Sequence, residues 1–378
     1  MKRRQWLTHA LACAGTGSTL MSSASSVGAA PSDSDLLIGQ TAAFSGPLGA
    51  PVKMIFAGTT LAIAEANARG GVGGRQVRLL SLDDQLKAEI GAANCHRLIT
   101  EDHVLALFGT VGGRTVQAAL PMLQQADVPL IAPYAIPDAA RENARGTAYC
   151  VRASFARELE VLVQQLATIG ITRIALAHVS VATEMPATLA TVLAAHSLQP
   201  AAVASIAMNG ANLAEAAQAL AKSRAQAVIL ALDTLPAAAL MKAMWTAGEL
   251  PFFYGTSLVA GEQLWQALGG HTRGLVVAQV MPYPWNGVDP DVHAFQVLCK
   301  RAGVEPSYHN MEGYVAGRVL IEGLRRAGSE PTRASLHKAM RSLSLRVAGM
   351  DISFAGGSPT GSRFVELVQV SEQGRFVR

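Results

Sequence analysis

Val104-Leu105-Ala106-Leu107-Phe108-Gly109-Thr110-Val111-Gly112-Gly113-Arg114-Thr115 is the stretch that carries the plainest fold signal in the chain. Its first five residues are a short apolar run, the pattern of a buried strand, and the glycine-rich segment leads straight into a helix over Thr115–Gln125. Val128–Ala132 follows as another strand. Strand, helix, strand in immediate succession is the unit of a parallel sheet with helices on both faces.

The same alternation extends in both directions. Upstream, strands are expected at Leu36–Thr41 and Gln76–Leu82, and helices at Val52–Ala66 and Glu89–Thr100; Arg69-Gly70-Gly71 closes the first helix with residues suited to a left-handed cap. Downstream, Ser154 is a helix cap for an apolar stripe of Phe155, Leu159, Leu162, Val163 and Leu166. Strands at Arg173–His178, Val203–Ala207, Ala227–Leu232, Phe252–Tyr254 and Leu275–Val280 alternate with helices at Met185–His196, Ala211–Lys222, Pro236–Ala247 and Glu262–Leu268. Residues 290–342 read as mostly helical. No fixed-period repeat and no long flexible linker interrupts the chain, so two α/β halves are expected to be joined by short crossings.

A chain of 378 residues fits roughly two domains. Half its residues are hydrophobic and only 15% are charged, which excludes a disordered chain, a coiled coil and a nucleic-acid-coating protein. Aromatic residues make up 5%, too few for a nucleobase-stacking platform. The net charge of +4 comes largely from the start of the chain: residues 1–29 hold three basic residues and no acidic one, and without them 28 basic face 27 acidic. No basic patch points to nucleic acid or anionic lipid.

Lys2-Arg3-Arg4, Trp6-Leu7 and the small-residue stretch to Ala30 read as an export signal over residues 1–29, with cleavage after Ala29 or, as second choice, Ala30. The arginine pair and the weak apolar region leave Sec and twin-arginine export both open. No later stretch reaches the roughly 18 apolar residues of a membrane helix, so an exported, periplasmic protein is expected. Cys95, Cys150 and Cys299 lie far from any zinc spacing; buried thiols are expected, with one disulfide left open.

Enzyme constellations are missing from the sequence. Gly71-Val72-Gly73-Gly74 follows a helix and precedes a strand, the reverse of a dinucleotide loop, and reads as a tight turn. There is no G-x-S-x-G, H-E-x-x-H or C-x-x-C, and the histidines are isolated. Neither catalytic residues, a metal nor a cofactor is expected. Ligands of open α/β sheets sit beyond the carboxyl ends of the strands. Three loops qualify: Ala43-Phe44-Ser45-Gly46-Pro47, Gly109 to Thr115, and Ala132-Pro133-Tyr134-Ala135-Ile136-Pro137. The second offers helix-start N–H donors for an anion or a carbonyl; a ligand-binding role is preferred over a plain strand–helix turn.

The order of Ile38-Gly39-Gln40-Thr41, Ser45-Gly46-Pro47, Ala66-Asn67-Ala68-Arg69-Gly70-Gly71-Val72-Gly73-Gly74, Leu82-Asp83-Asp84, Leu107-Phe108-Gly109-Thr110 and Val128-Pro129-Leu130-Ile131-Ala132-Pro133 resembles the type I periplasmic solute-binding proteins of ABC importers, in their leucine/isoleucine/valine-binding branch. Val276 to Pro282 and Met311-Glu312-Gly313-Tyr314-Val315-Ala316 extend the resemblance over nearly all of the chain after the leader. It implies two Rossmann-like lobes with ligand between them and three hinge crossings, here expected near 152, 281 and 345. Lobe 1 is then 33–152 plus 282–345, and lobe 2 is 153–281 plus 346–378. It also implies a monomer that captures a small solute and meets ABC permease subunits. A sensory binding protein of the same fold is the alternative, and an exported hydrolase the more distant one. The site expected on this basis comprises Ser45, Thr110, Val111, Gly112, Gly113, Arg114, Tyr134, Ala135 and Ile136 from the first lobe, and Thr183, Asp233, Thr256 and Ser257 from the second. The family's clamp on an α-amino acid is not reproduced: Gly112-Gly113-Arg114 stands for a Ser/Thr-rich loop, Ile136 for a threonine, Ser180 to Glu184 lacks the tyrosine, and Thr256-Ser257 replaces an acid. A ligand with an acidic or carbonyl end and an apolar body is therefore expected; Arg114 is its charged contact if it points inward, an exposed Arg114 being the alternative left open.

Overall fold

The computed structural model describes residues 35–378 apart from Pro47, Ala260, Arg273 and Gln373. The expected signal over 1–29, its cleavage site and Pro47 lie outside the described residues. The first sheet is built from β1 (Leu36–Ala42), β2 (Val77–Asp83), β3 (Ala106–Phe108), β4 (Leu130–Ile131) and β5 (Ala148–Tyr149). Their order is β2-β1-β3-β4-β5, and every pairing is parallel. Each connection runs through a helix: α1 (Gly49–Ala68), α2 (Ala88–Thr100), α3 (Gly113–Gln125) and α4 (Asp138–Asn143).

The chain then enters the second lobe through α5 (Phe155–Thr168), β6 (Ile174–Val179), α6 (Met185–Ala194), β7 (Pro200–Ile206), α7 (Leu213–Lys222), β8 (Ala227–Ala231), α8 (Thr234–Thr246), β9 (Phe252–Gly255), α9 (Gly261–Leu268) and β10 (Val276–Gln279). It returns to the first lobe with α10 (Pro290–Ala302), α11 (Tyr308–Ala327), α12 (Arg333–Arg341) and a hairpin, β11 (Ser344–Val347) and β12 (Met350–Ser353). Two final strands, β13 (Glu366–Val370) and β14 (Phe376–Val377), add antiparallel to the second sheet, whose order is β14-β13-β10-β9-β8-β6-β7. The α/β architecture is the expected one. The hairpin and the antiparallel edge are additions that periodicity did not signal. Among the described residues no helix is long and apolar enough to cross a membrane.

Ser154 caps α5 as expected, its hydroxyl accepting from the Arg157 N–H at 3.2 Å. The two longest helices, α1 and α11, approach until backbone meets backbone. A Cβ on Gly58 would lie 1.8 Å from the Asn310 carbonyl oxygen, and one on Gly313 would lie 1.8 Å from that of Ile55. Thr59 donates its hydroxyl to the Gly313 carbonyl at 3.1 Å. This contact fixes the face of α11 that carries His309 and Glu312.

The passages between the sheets run through 150–154, 280–289 and 354–365. The third was expected near 345, but hairpin β11–β12 belongs with the first lobe by its packing. Phe354, which follows it, lies edge-on to Tyr149 with centroids 5.3 Å apart, and the Tyr149 hydroxyl bonds His337 of α12. We therefore propose that the lobe boundary falls within 354–365. The first and third passages lie side by side: Cys150 N–H donates to Pro359 O at 2.9 Å and Gly361 N–H to Cys150 O at 2.8 Å. Buried Arg141 staples them, donating to the carbonyls of Arg152 (2.9 Å) and Ala153 (3.1 Å) and to the Thr360 hydroxyl (3.3 Å). Cys95, Cys150 and Cys299 are free and buried, and burial pushes their thiols up to about 12, 11 and 11.

Candidate functional site

The loops after β3 and β4 form one wall of a cavity. They are zipped together: Val111 and Tyr134 form a parallel bridge, Tyr134 N–H donates to Thr110 O at 2.9 Å, and Gly112 N–H donates to Tyr134 O at 3.1 Å. The Gly112 N–H, counted as a helix-start donor for a ligand, is therefore already occupied. Val52, Ile55 and Phe56 of α1 supply an apolar wall, Glu312 and Ala316 of α11 a second, and Val151 and Arg152 of the first passage the floor. With the lobes as they stand, these walls leave a cavity of about 20 Å³, roughly the room one water needs.

Arg152 dominates the floor. It is 2% exposed, and its guanidinium pairs with Glu158 of α5 at 3.1 Å and with Glu312 of α11 at 3.4 Å. It also donates to the Ser257 hydroxyl, and it lies 5.2 Å from the centroid of the Tyr134 ring and 5.6 Å from that of Phe155. Glu158 accepts the Ser257 N–H at 2.7 Å and its hydroxyl at 3.0 Å as well, the acceptor pattern of an ionised carboxylate. Partners from both lobes thus converge on one cation in the hinge. Burial alone would lower the Arg152 pKa, but Glu312 and Glu158 outweigh it and raise it. Burial pulls both glutamates upward. His309 is pushed down to about 4 by burial and by the Arg152 charge, so it is neutral near pH 7.

The expected site residues divide. Thr110 is buried, and its hydroxyl has no hydrogen-bond partner among the described residues. Val111 and Tyr134 line the cavity, and Ala135 touches the apolar clusters of both lobes. Ser257 belongs to the Arg152 network. Asp233, just before α8, is half-buried; no hydrogen bond or ion pair reaches its side chain among the described residues, and burial raises its pKa. Its charge, like that of Glu312, acts on the Tyr134 hydroxyl.

The others are not gathered there. Ser45 is exposed, its N–H bonded to the Asp83 carboxylate at 3.3 Å, and Thr183 is exposed. Arg114 is exposed, so the cation at the cavity is Arg152 instead. Ile136 is fully buried in an apolar cluster with Leu107 and Leu123, and Thr256 is buried with its hydroxyl on the Leu230 carbonyl at 3.3 Å. Gly112 adopts φ 87°, and a Cβ on Gly113 would meet the Pro137 ring at 2.5 Å, so Gly113 faces Pro137. The residues that sequence reasoning missed are Arg152, Glu158, His309 and Glu312. For Glu158, His309 and Glu312 the available signal was a charged or titratable residue placed on an apolar helical stripe, as Glu158 is between Phe155 and Leu162; Arg152, in the connector before α5, carried none.

Comparisons with known proteins agree with this architecture. The sequence model of the periplasmic binding protein family matches residues 36–375. A Leu/Ile/Val-binding protein homolog 7 of Brucella suis biovar 1 is 30% identical over 140 residues, 37% of this chain; the match spans about a third of that relative's length. A substrate-binding periplasmic protein from Ralstonia solanacearum superposes with a TM-score of 0.83 at 29% identity, covering 91% of this chain and 99% of that one. The branched-chain amino acid transporter substrate-binding protein LivJ of Streptococcus pneumoniae, solved with isoleucine, shares the fold at 16% identity, with a TM-score of 0.80 over 91% of this chain and 98% of that one. With two lobes, three passages and a cavity between the strand-end loops and the hinge, the chain belongs to the periplasmic binding protein family.

Proposed function

We propose that this protein is the substrate-binding component of an ABC importer, capturing a small solute between its lobes and delivering it to a membrane permease. The supporting observation is the cavity itself: first-lobe loops form its wall, the hinge its floor, and the floor's cation is held from both lobes at once. A cavity of about 20 Å³ admits no solute as it stands, so binding requires the lobes to part and close again about the three passages. Ligand-facing roles fall to Thr110, Val111, Tyr134, Ala135, Asp233 and Ser257, together with Arg152 and Glu312.

The test has two stages. The protein without residues 1–29 is screened by thermal shift against a metabolite library, and hits are followed by small-angle scattering for ligand-dependent compaction. The permease and ATPase proteins of any ABC importer encoded beside it are then reconstituted in liposomes. ATP-dependent uptake of the hit that needs this protein supports the reading; compaction without uptake by those partners removes the transport role.

A further inference from the structure

One carboxylate, Glu312, and one guanidinium, Arg152, line the cavity; Glu158 pairs with Arg152 beside it, and the charge of Asp233 reaches the Tyr134 hydroxyl on its wall. Arg152 forms its floor, and its two terminal nitrogens are taken by Glu158, Glu312 and the Ser257 hydroxyl. Its Nε–H is buried and has no acceptor among the described residues, and neither does the buried Thr110 hydroxyl. In the second lobe, just past the carboxyl end of β8, Asp233 is a half-buried carboxylate without a partner among the described residues. Of the other groups nearby, Arg141 acts on Glu312 as a lesser positive charge and does not line the cavity. His309 is neutral, and the Arg141 fork lies behind the passages on the Arg152 and Ala153 carbonyls. Carboxylates thus outnumber the cation that faces them, and burial makes that excess costly until a ligand offsets it.

We propose that the cleft takes a small organic cation that carries an uncharged oxygen acceptor and no free carboxylate, its charged nitrogen between Asp233 and Glu312 and its oxygen on the Arg152 Nε–H. The inference rests on the solute-capture reading above. It replaces the acidic ligand that the sequence led us to expect, because a ligand carboxylate set against Arg152 would also lie against Glu312. The apolar body is accommodated by Ile55 and Phe56, and the Tyr134 ring gives the cation an aromatic face.

Four probes with one hydrocarbon body separate the charge classes: leucinamide, leucine, 4-methylpentanoate and 4-methylpentanamide. Binding is measured by calorimetry at pH 6.5, where the leucinamide amine is protonated. Leucinamide is expected to bind at least about tenfold more tightly than the other three, and Asp233→Asn to remove that preference while leaving the unfolding midpoint near wild type. Equal or tighter binding of leucine, 4-methylpentanoate or 4-methylpentanamide overturns the charge assignment, as does absence of binding by all four. A carboxylate found to compact the protein would overturn it too and leave solute capture standing; a protein that compacts on nothing in the library would count first against solute capture.

Discussion

Two arginines face opposite fates in this molecule. Arg114 follows a glycine-rich loop at the end of β3, the position where open α/β sheets present ligand contacts, yet it is exposed and has no ion pair or hydrogen bond among the described residues. Arg152 sits in a connector between lobes, yet it is 2% exposed and bonded to two glutamates and a serine. The difference teaches that a charge acts in a cleft only when packing removes water from it and partners hold it there. The strand-end rule locates the cavity; burial decides which side chains act in it.

The hardest test of this contrast is Arg152→Ala. It leaves Glu158 and Glu312 without their cation, with Glu158 fully buried, and removing one partner of a buried pair typically costs about 3–5 kcal/mol. A urea midpoint for the variant within error of wild type would show that Arg152 is no better held than Arg114.

What could be read in advance follows the same physics. Buried parallel strands such as Ala227–Ala231 are continuous apolar runs, so the α/β alternation was visible, as was the Ser154 cap. The third passage was not: residues 344–353 pair locally as a hairpin, and no composition shift marks the 354–365 stretch to which we assign the lobe boundary. The site was half legible. Tyr134 and Val111 lie in loops that turn chemistry flags. Glu158, His309 and Glu312 sit among apolar helix positions, and their role depends on Arg152, which comes from a different part of the chain.

The His309 ring reports how strongly burial, and after it the Arg152 charge, disfavours its protonated form. Its folded pKa, about 4, lies below its unfolded value of 6.5. Its neutral form therefore contributes stability that is present above pH 6.5 and lost as pH falls toward 4, up to about 3 kcal/mol. Glu158 and Glu312, whose pKa values are raised, act with the opposite sign, losing stability as pH rises through their folded values. Comparison with His309→Gln isolates the histidine: urea midpoints of wild type should fall further than those of the variant between pH 6.5 and 4. Parallel curves would mean that the ring is solvated and its protonated form is not disfavoured in the fold.

Gly113→Val probes the loop side. A Cβ there meets Pro137 Cδ at 2.5 Å and Cγ at 3.1 Å, and overpacking of this kind costs about 1–3 kcal/mol. With Pro137 in its path, the substitution should lower the unfolding midpoint. An unchanged midpoint would show that the loop is free to give way.

The smallest effect is expected at Arg114→Ala, and its sign is informative. Arg114 lies in the first turn of α3, where the helix dipole disfavours a positive charge, and alanine is the better helix former. With no partner to lose among the described residues, the substitution should leave stability unchanged or raise it by up to about 0.5 kcal/mol. Leucinamide affinity should also stay within about twofold of wild type, because the charge is screened by water at the surface. A loss of binding comparable to that of Asp233→Asn would place Arg114 at the ligand, and the strand-end loop would then share the role proposed for the hinge.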